Sequence, residues 1–133
     1  MKLGDDKVFV QGPARIFVFG SNTVGRHGAG AAFTAWKYYG AIMGQGVGLQ
    51  GHSYAIPTKD KNLYMLPIGE IKKYVTQFLQ FAADTEKDGL AFFVTRIGCG
   101  LAGYKDQQIA PLFKGATANV ELPHGWPEVI QTT

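Results

Sequence analysis

Two periods of apolar residues alternate along this chain. Residues 15–19 (Arg-Ile-Phe-Val-Phe) and 91–95 (Ala-Phe-Phe-Val-Thr) are almost continuously apolar, as strands buried on both faces of a parallel sheet are. Residues 53–56 predict a further strand ended by Pro57, since the residue before a proline is pushed out of helical space. Residues 7–10 predict an edge strand, and 118–122 the last one. Between the strands the period changes. Ile68, Ile71, Val75, Phe78, Leu79 and Ala82 recur every three or four residues, which predicts an amphipathic helix ending near Asp88-Gly89. Ala31, Ala32, Ala35 and Trp36 fit one face of a helix over 28–39 with Gly40 as its stop. Residues 106–113 predict a short helix limited by Pro111, and the tail from Pro123, with Trp126 and Pro127, is expected to pack over an edge. Alternating strands and helices give an α/β fold whose mixed, largely parallel sheet is covered on both faces.

Composition narrows the class. The 133 residues, 46% hydrophobic and 17% charged, suit one globular domain spanning 1–133. The apolar runs are far shorter than the roughly 20 residues that cross a bilayer. No charged-then-apolar leader opens the chain, so the expectation is a cytoplasmic protein with no membrane partner. One cysteine, Cys99, excludes a disulfide scaffold. The formal charge of +3 favours anionic ligands, but Lys and Arg are scattered and do not mark a nucleic-acid surface. His52, His124 and Cys99 lack ligand spacing, so no metal and no cofactor is expected.

Eighteen glycines concentrate between 20 and 51 and between 98 and 103. The segment 44–51 is too glycine-rich to predict regular structure. Two other stretches each follow an apolar run directly: Gly20-Ser-Asn-Thr-Val-Gly-Arg-His-Gly-Ala-Gly30 and Arg96-Ile-Gly-Cys-Gly-Leu-Ala-Gly-Tyr104. Ligands of open α/β sheets lie beyond the carboxyl ends of the strands, and glycine lets backbone N–H groups approach an anion. The candidate binding residues are therefore Ser21, Asn22, His27, Gly28, Ala29 and Gly30 on one loop. Ile97, Gly98, Cys99, Gly100, Leu101, Ala102, Gly103 and Tyr104 are their counterparts on the other. Neither loop ends in Gly-Lys-Ser/Thr, which excludes a P-loop. Gly98-x-Gly100-x-x-Gly103 with Glu121 formally matches a dinucleotide fingerprint, but the helix after it would be short and proline-containing. His27 is either a cationic phosphate contact or a loop histidine bonded to backbone. Cys99 has no assigned base and reads first as a packing residue. Tyr104 and Phe33 either stack on a ligand or join the core.

Arg96-Ile-Gly-Cys-Gly-Leu-Ala-Gly103 after a strand, together with the upstream His27-Gly-Ala-Gly-Ala31, resembles the macrodomain family. The likeness is to the small branch that contains ADP-ribose-1″-phosphate phosphatases and terminal ADP-ribose glycohydrolases, and it covers most of the chain. The resemblance implies a three-layer α/β/α fold with an ADP-ribose pocket. The helix beginning near Gly28 and the loop 98–103 would grip the diphosphate and distal ribose, and Asn22 would meet a ribose hydroxyl. In Ile56-Pro-Thr-Lys59 it implies a reactive lysine, so Lys59 and Asn22 are the candidate catalytic residues. The family's acid follows Gly-Cys-Gly-Leu, where this chain has Ala102; Asp60 and Asp106 are the candidate replacements. Asp5 and Asp6 are the only acids near the position of the family's adenine contact. Three functions remain open: a hydrolase of an ADP-ribosyl linkage or 1″-phosphate, a module that binds ADP-ribose, a related nucleotide or an ADP-ribosylated protein, and a nucleic-acid or protein adaptor.

Overall fold

The computed structural model describes residues 15–100 and 103–133 in full, and before them only the backbone of β1 (Lys2–Leu3) and β2 (Lys7–Val8). β1 and β2 pair antiparallel in a ladder of their own. The strand expected at 7–10 is thus not an edge of the main sheet, and positions 9–10 lie outside the described residues, as do Asp5, Asp6, Leu101 and Ala102. The chain continues through β3 (Arg15–Asn22), α1 (Gly30–Tyr38), β4 (Gly48–Gln50), β5 (Ser53–Lys59), α2 (Ile68–Thr85), β6 (Ala91–Val94), α3 (Asp106–Ile109), β7 (Val120–Glu121) and α4 (Trp126–Gln131). The five main strands are ordered β4-β5-β3-β6-β7. β5, β3, β6 and β7 run parallel and β4 pairs antiparallel with β5. Helices cover both faces, which makes a three-layer α/β/α fold.

The period-2 alternation of side chains sorts β3 between the two layers. Ile16 and Val18 face a large core with Tyr54, Ile56, Phe92 and Val94, against which α2 lays Ile71, Val75, Phe78 and Ala82. Phe17 and Phe19 face the other way, toward Ala32, Ala35 and Ala41 of the α1 side. Small alanines let α1 approach the sheet closely. Phe78 is fully buried and meets Phe92 edge-on with ring centroids 5.2 Å apart, so truncating it to alanine would cost roughly 3–5 kcal/mol.

Four expectations change. β5 runs through Pro57 to Lys59. β4 pairs only as far as Ala55 and the Met65–Leu66 segment meets β5 again only at Thr58 and Lys59, so at Pro57 itself β5 has β3 alone beside it and a proline breaks no ladder there. The 44–51 segment is not wholly irregular, since Gly48–Gln50 forms β4. Its order comes from Gln50, whose buried side chain accepts from the Ile42 N–H at 2.8 Å and donates to the carbonyls of Gln45 and Gly48. β7 is only two residues long. The tail does not simply cover an edge: α4 drives Trp126 into the main core beside Phe113, fully buried.

Candidate functional site

β3 and β5 end side by side, and their ladder contains a bulge there. Ser21 pairs with Pro57 and the next pair is Asn22 with Lys59, so Thr58 is the extra residue. A bulge bends a strand and re-aims its side chains, and it recurs beside binding sites. Here it brings Lys59 opposite Asn22 at the carboxyl end of the sheet. Beyond β6, Thr95 is fastened to β3 by its N–H and hydroxyl, which both donate to Val18 O, at 3.0 and 2.7 Å. The three parallel strand ends therefore open into one cavity of about 530 Å³.

Both glycine loops border it. Ser21, Asn22, Gly28, Ala29 and Gly30 line it from the first; Ile97, Gly98, Gly100 and Gly103 line it from the second, and Lys59 from β5. A Cβ built on Gly28, Gly30 or Gly100 would meet nothing within 4 Å, whereas one on Gly103 would lie 2.4 Å from Gly98 O. Gly103 is thus required by the loop's own folding, and Gly28, Gly30 and Gly100 leave space. The loop uses its Ile97, Cys99, Gly103 and Tyr104 amides internally. Among the described residues the Gly98 and Gly100 amides bond to nothing, and the first turn of α1 has no side-chain cap. Unpaired amides at a helix start and a glycine loop suit an anion.

The charge agrees. Arg26, Lys59 and Arg96 line the cavity, and no Asp or Glu does among the described residues. Arg26 and Arg96 lie inside the two glycine stretches but were not among the candidate site residues, although a cation within each stretch is a signal by which they could have been found. Thr58, Leu63, Met65 and Thr95 also line it. Their placement depends on the bulge and on the turn after β5, which no local pattern announces.

Several candidates stand elsewhere. His27 is fully buried, and its Nε2 lies 3.1 Å from Gln45 O and 3.3 Å from Gln50 Oε1, with its ring edge-on to Phe19. Both partners are acceptors, so Nε2 carries the proton and donates; the residue ties loop to loop and does not reach the cavity. Asn22 does line the cavity, but its side chain is occupied. Its Oδ1 accepts from Arg26 N–H and its Nδ2 donates to Arg26 O, both at 2.9 Å. It shapes the first loop in place of offering its amide to a ribose. Tyr104 turns away, donating its hydroxyl to Leu66 O at 2.8 Å against the core. Phe33 lies on α1 against Trp36.

Cys99 faces away from the cavity as well. Burial, together with the negative charge of Asp106, pushes its thiol up to about 11, so the sulfur is protonated and a poor nucleophile at neutral pH. Asp106 accepts from the buried Trp126 indole at 3.0 Å and from Arg96 at 2.5 Å. The indole hydrogen bond and the guanidinium hold its carboxyl below the usual range despite partial burial. Asp60 accepts from the Asn62 and Tyr64 amides, at 2.8 and 3.1 Å, and serves its turn. Neither acid lines the cavity. Glu121 pairs with Arg15 at the start of β3, and the helix after the second loop is the four-residue α3, short as expected for a sequence that matches the dinucleotide fingerprint only formally.

No protein-family model and no curated protein matches this chain. A solved structure of a protein of unknown function from Bacteroides thetaiotaomicron is similar to it, with a TM-score of 0.54 over 90% of this chain and 98% of that one, at 18% identity. Identity at that level establishes the shared fold alone. Among the described residues no helix is long and apolar enough to cross a membrane, and no three His, Cys, Asp or Glu side chains are grouped to hold a metal.

Proposed function

We propose that this protein binds ADP-ribose or a closely related nucleotide, with the two glycine loops holding the diphosphate. One observation carries the reading: both loops, free amides and three basic side chains converge on a single cavity whose described lining holds no carboxylate. Its volume falls within the roughly 300–1,000 Å³ usual for small-ligand sites. The macrodomain-like motifs Arg96-Ile-Gly-Cys-Gly-Leu-Ala-Gly103 and His27-Gly-Ala-Gly-Ala31 supply the ligand class, and an anion held by backbone amides supplies the physics.

Binding is the reading taken first, because the described lining holds no carboxylate and no histidine and offers Lys59 alone among the usual proton-transfer side chains. A hydrolytic reading has one observation for it. Lys59 lines the cavity, and among the described residues its ammonium has no ion-pair partner. Calorimetric titration with ADP-ribose, AMP, NAD and ADP-ribose-1″-phosphate, followed by chromatography of the mixtures, tests both. Saturable binding with unchanged ligand supports the binding module, released phosphate or ADP-ribose supports the hydrolase, and no binding to any of the four overturns the proposal.

A further inference from the structure

The turn after β5 is built in a way that the glycine loops do not explain. Leu63 has φ +67°, the only non-glycine residue among those described with a positive φ. A branched side chain in the left-handed region is strained and persists only where its surroundings over-determine it. They do so here. Asp60 Oδ1 accepts from the Asn62 and Tyr64 amides at 2.8 and 3.1 Å, Leu63 N–H donates to Asp60 O at 3.0 Å, and Asp60 N–H donates to Tyr64 O at 2.8 Å. Lys59 and Met65 bridge across the base of the turn, and the Leu66 amide donates to Thr58 O at 2.9 Å.

What this bracing presents is an apolar side chain that the core does not use. Leu63 belongs to neither hydrophobic cluster, is 50% exposed, and lines the cavity beside Lys59. Asparagine or glycine would take the same turn without strain, so packing within the chain gives no reason for leucine. The same cavity is lined by amides and cations, which hold phosphates; Leu63 and Met65 add apolar side chains to that lining that can desolvate something flat and apolar.

We propose that the 60–64 turn is a ring-binding wall, with Leu63 packing on the face of a heteroaromatic ring of the ligand and thereby selecting ring-bearing nucleotides over simple sugar phosphates. The proposal rests on the nucleotide reading above and adds to it the residue that recognises the ring. Adenine and the nicotinamide of NAD both offer such a face, and the arms of the test separate them.

The experiment is calorimetric titration of the wild type, Leu63→Ser and Leu63→Gly with AMP, NAD, ADP-ribose and, as the ring-free control, ribose 5-phosphate. Leu63→Gly relieves the backbone strain while removing the contact, and unchanged ribose 5-phosphate binding by that variant shows that the site beside the turn is intact. Both variants are expected to bind the ring-bearing ligand about tenfold more weakly with ribose 5-phosphate unchanged. A loss for AMP and ADP-ribose identifies adenine, and a loss confined to NAD identifies nicotinamide. Unchanged affinity of both variants for all three ring-bearing ligands, or an equal loss for ribose 5-phosphate, overturns the ring-binding wall and leaves the nucleotide site standing. A wild type that binds none of the ligands overturns both.

Discussion

Glycines at the cavity rim and glycines in the seam behind it do opposite work. In the seam, where the 22–27 loop meets the 40–51 segment, a Cβ on Gly46 would lie 2.2 Å from Asn22 O and one on Gly25 2.4 Å from Gln45 N, and within the 40–51 segment one on Gly51 would lie 2.6 Å from Gly40 O. These positions are glycine because backbone touches backbone. At the rim, Gly28, Gly30 and Gly100 have nothing within 4 Å of a Cβ. Gly30 also needs its φ of +59°, while Gly28 and Gly100 are glycine where the protein leaves room and unpaired amides. Composition alone therefore overstates the site, because much of the glycine between 20 and 51 is architecture that holds the first loop in place.

The sharpest way to break this comparison is Gly46→Ala. The added methyl group cannot fit against Asn22 O without parting the two segments, so a loss of about 3 kcal/mol or more of stability is expected. Denaturant unfolding reads it, and a midpoint equal to that of the wild type would remove the distinction between seam and rim.

Gly100→Glu is the complementary change. The side chain has open space, so the unfolding midpoint should stay put, while a carboxylate placed at an anion site should weaken ADP-ribose binding about 100-fold or more. Tight binding by that variant in calorimetry would mean that the second loop does not hold the ligand.

The second loop is also anchored from behind, through Arg96, Asp106 and the buried Trp126. Asp106→Ala strands the indole N–H and should lower stability by about 1–3 kcal/mol. Because the folded-state carboxyl is held below its usual range, its stabilisation is present above the ordinary aspartate range and is lost as pH falls through the depressed value. Acid unfolding of the wild type should show that loss, and the variant should lack it; identical acid profiles would deny Asp106 the anchoring role.

Cys99 provides the smallest effect. Cys99→Ser should change ADP-ribose affinity less than about threefold, since the thiol is protonated and off the cavity. Its folded value is raised, so the contribution to stability is complete below the unfolded thiol's range and declines as pH rises toward about 11. Alkylation of the folded protein should be slow at pH 8 and accelerate toward that value. Rapid alkylation at neutral pH would mark a reactive thiolate instead.

The strands at 15–19 and 91–95 and the helix over 68–85 were legible because burial on both faces, or on one helical stripe, leaves a periodic trace. The loops that carry the site were legible from glycine placed after apolar runs. The roles of His27 and Asn22 were not. Both are polar residues in a glycine loop, and nothing local says that one is sealed beneath Gln45 and Gln50 while the other spends its amide on Arg26. Leu63 left no trace at all, since its meaning lies in a strained turn and in the cavity that the turn borders.

The sequence by itself determined the buried strands at 15–19 and 91–95 and the long amphipathic helix from Ile68, that strands and helices alternate into a sheet covered on both faces, and that two glycine stretches follow strands; it did not announce β4 or α4. Those properties depend on neighbours within a few residues. Only the tertiary structure decided that the bulge at Thr58 sets Lys59 opposite Asn22, that three cations from separate segments share one cavity, and which glycines face it. Such arrangements depend on register and on side-chain hydrogen bonds between distant segments, which chain order does not encode locally.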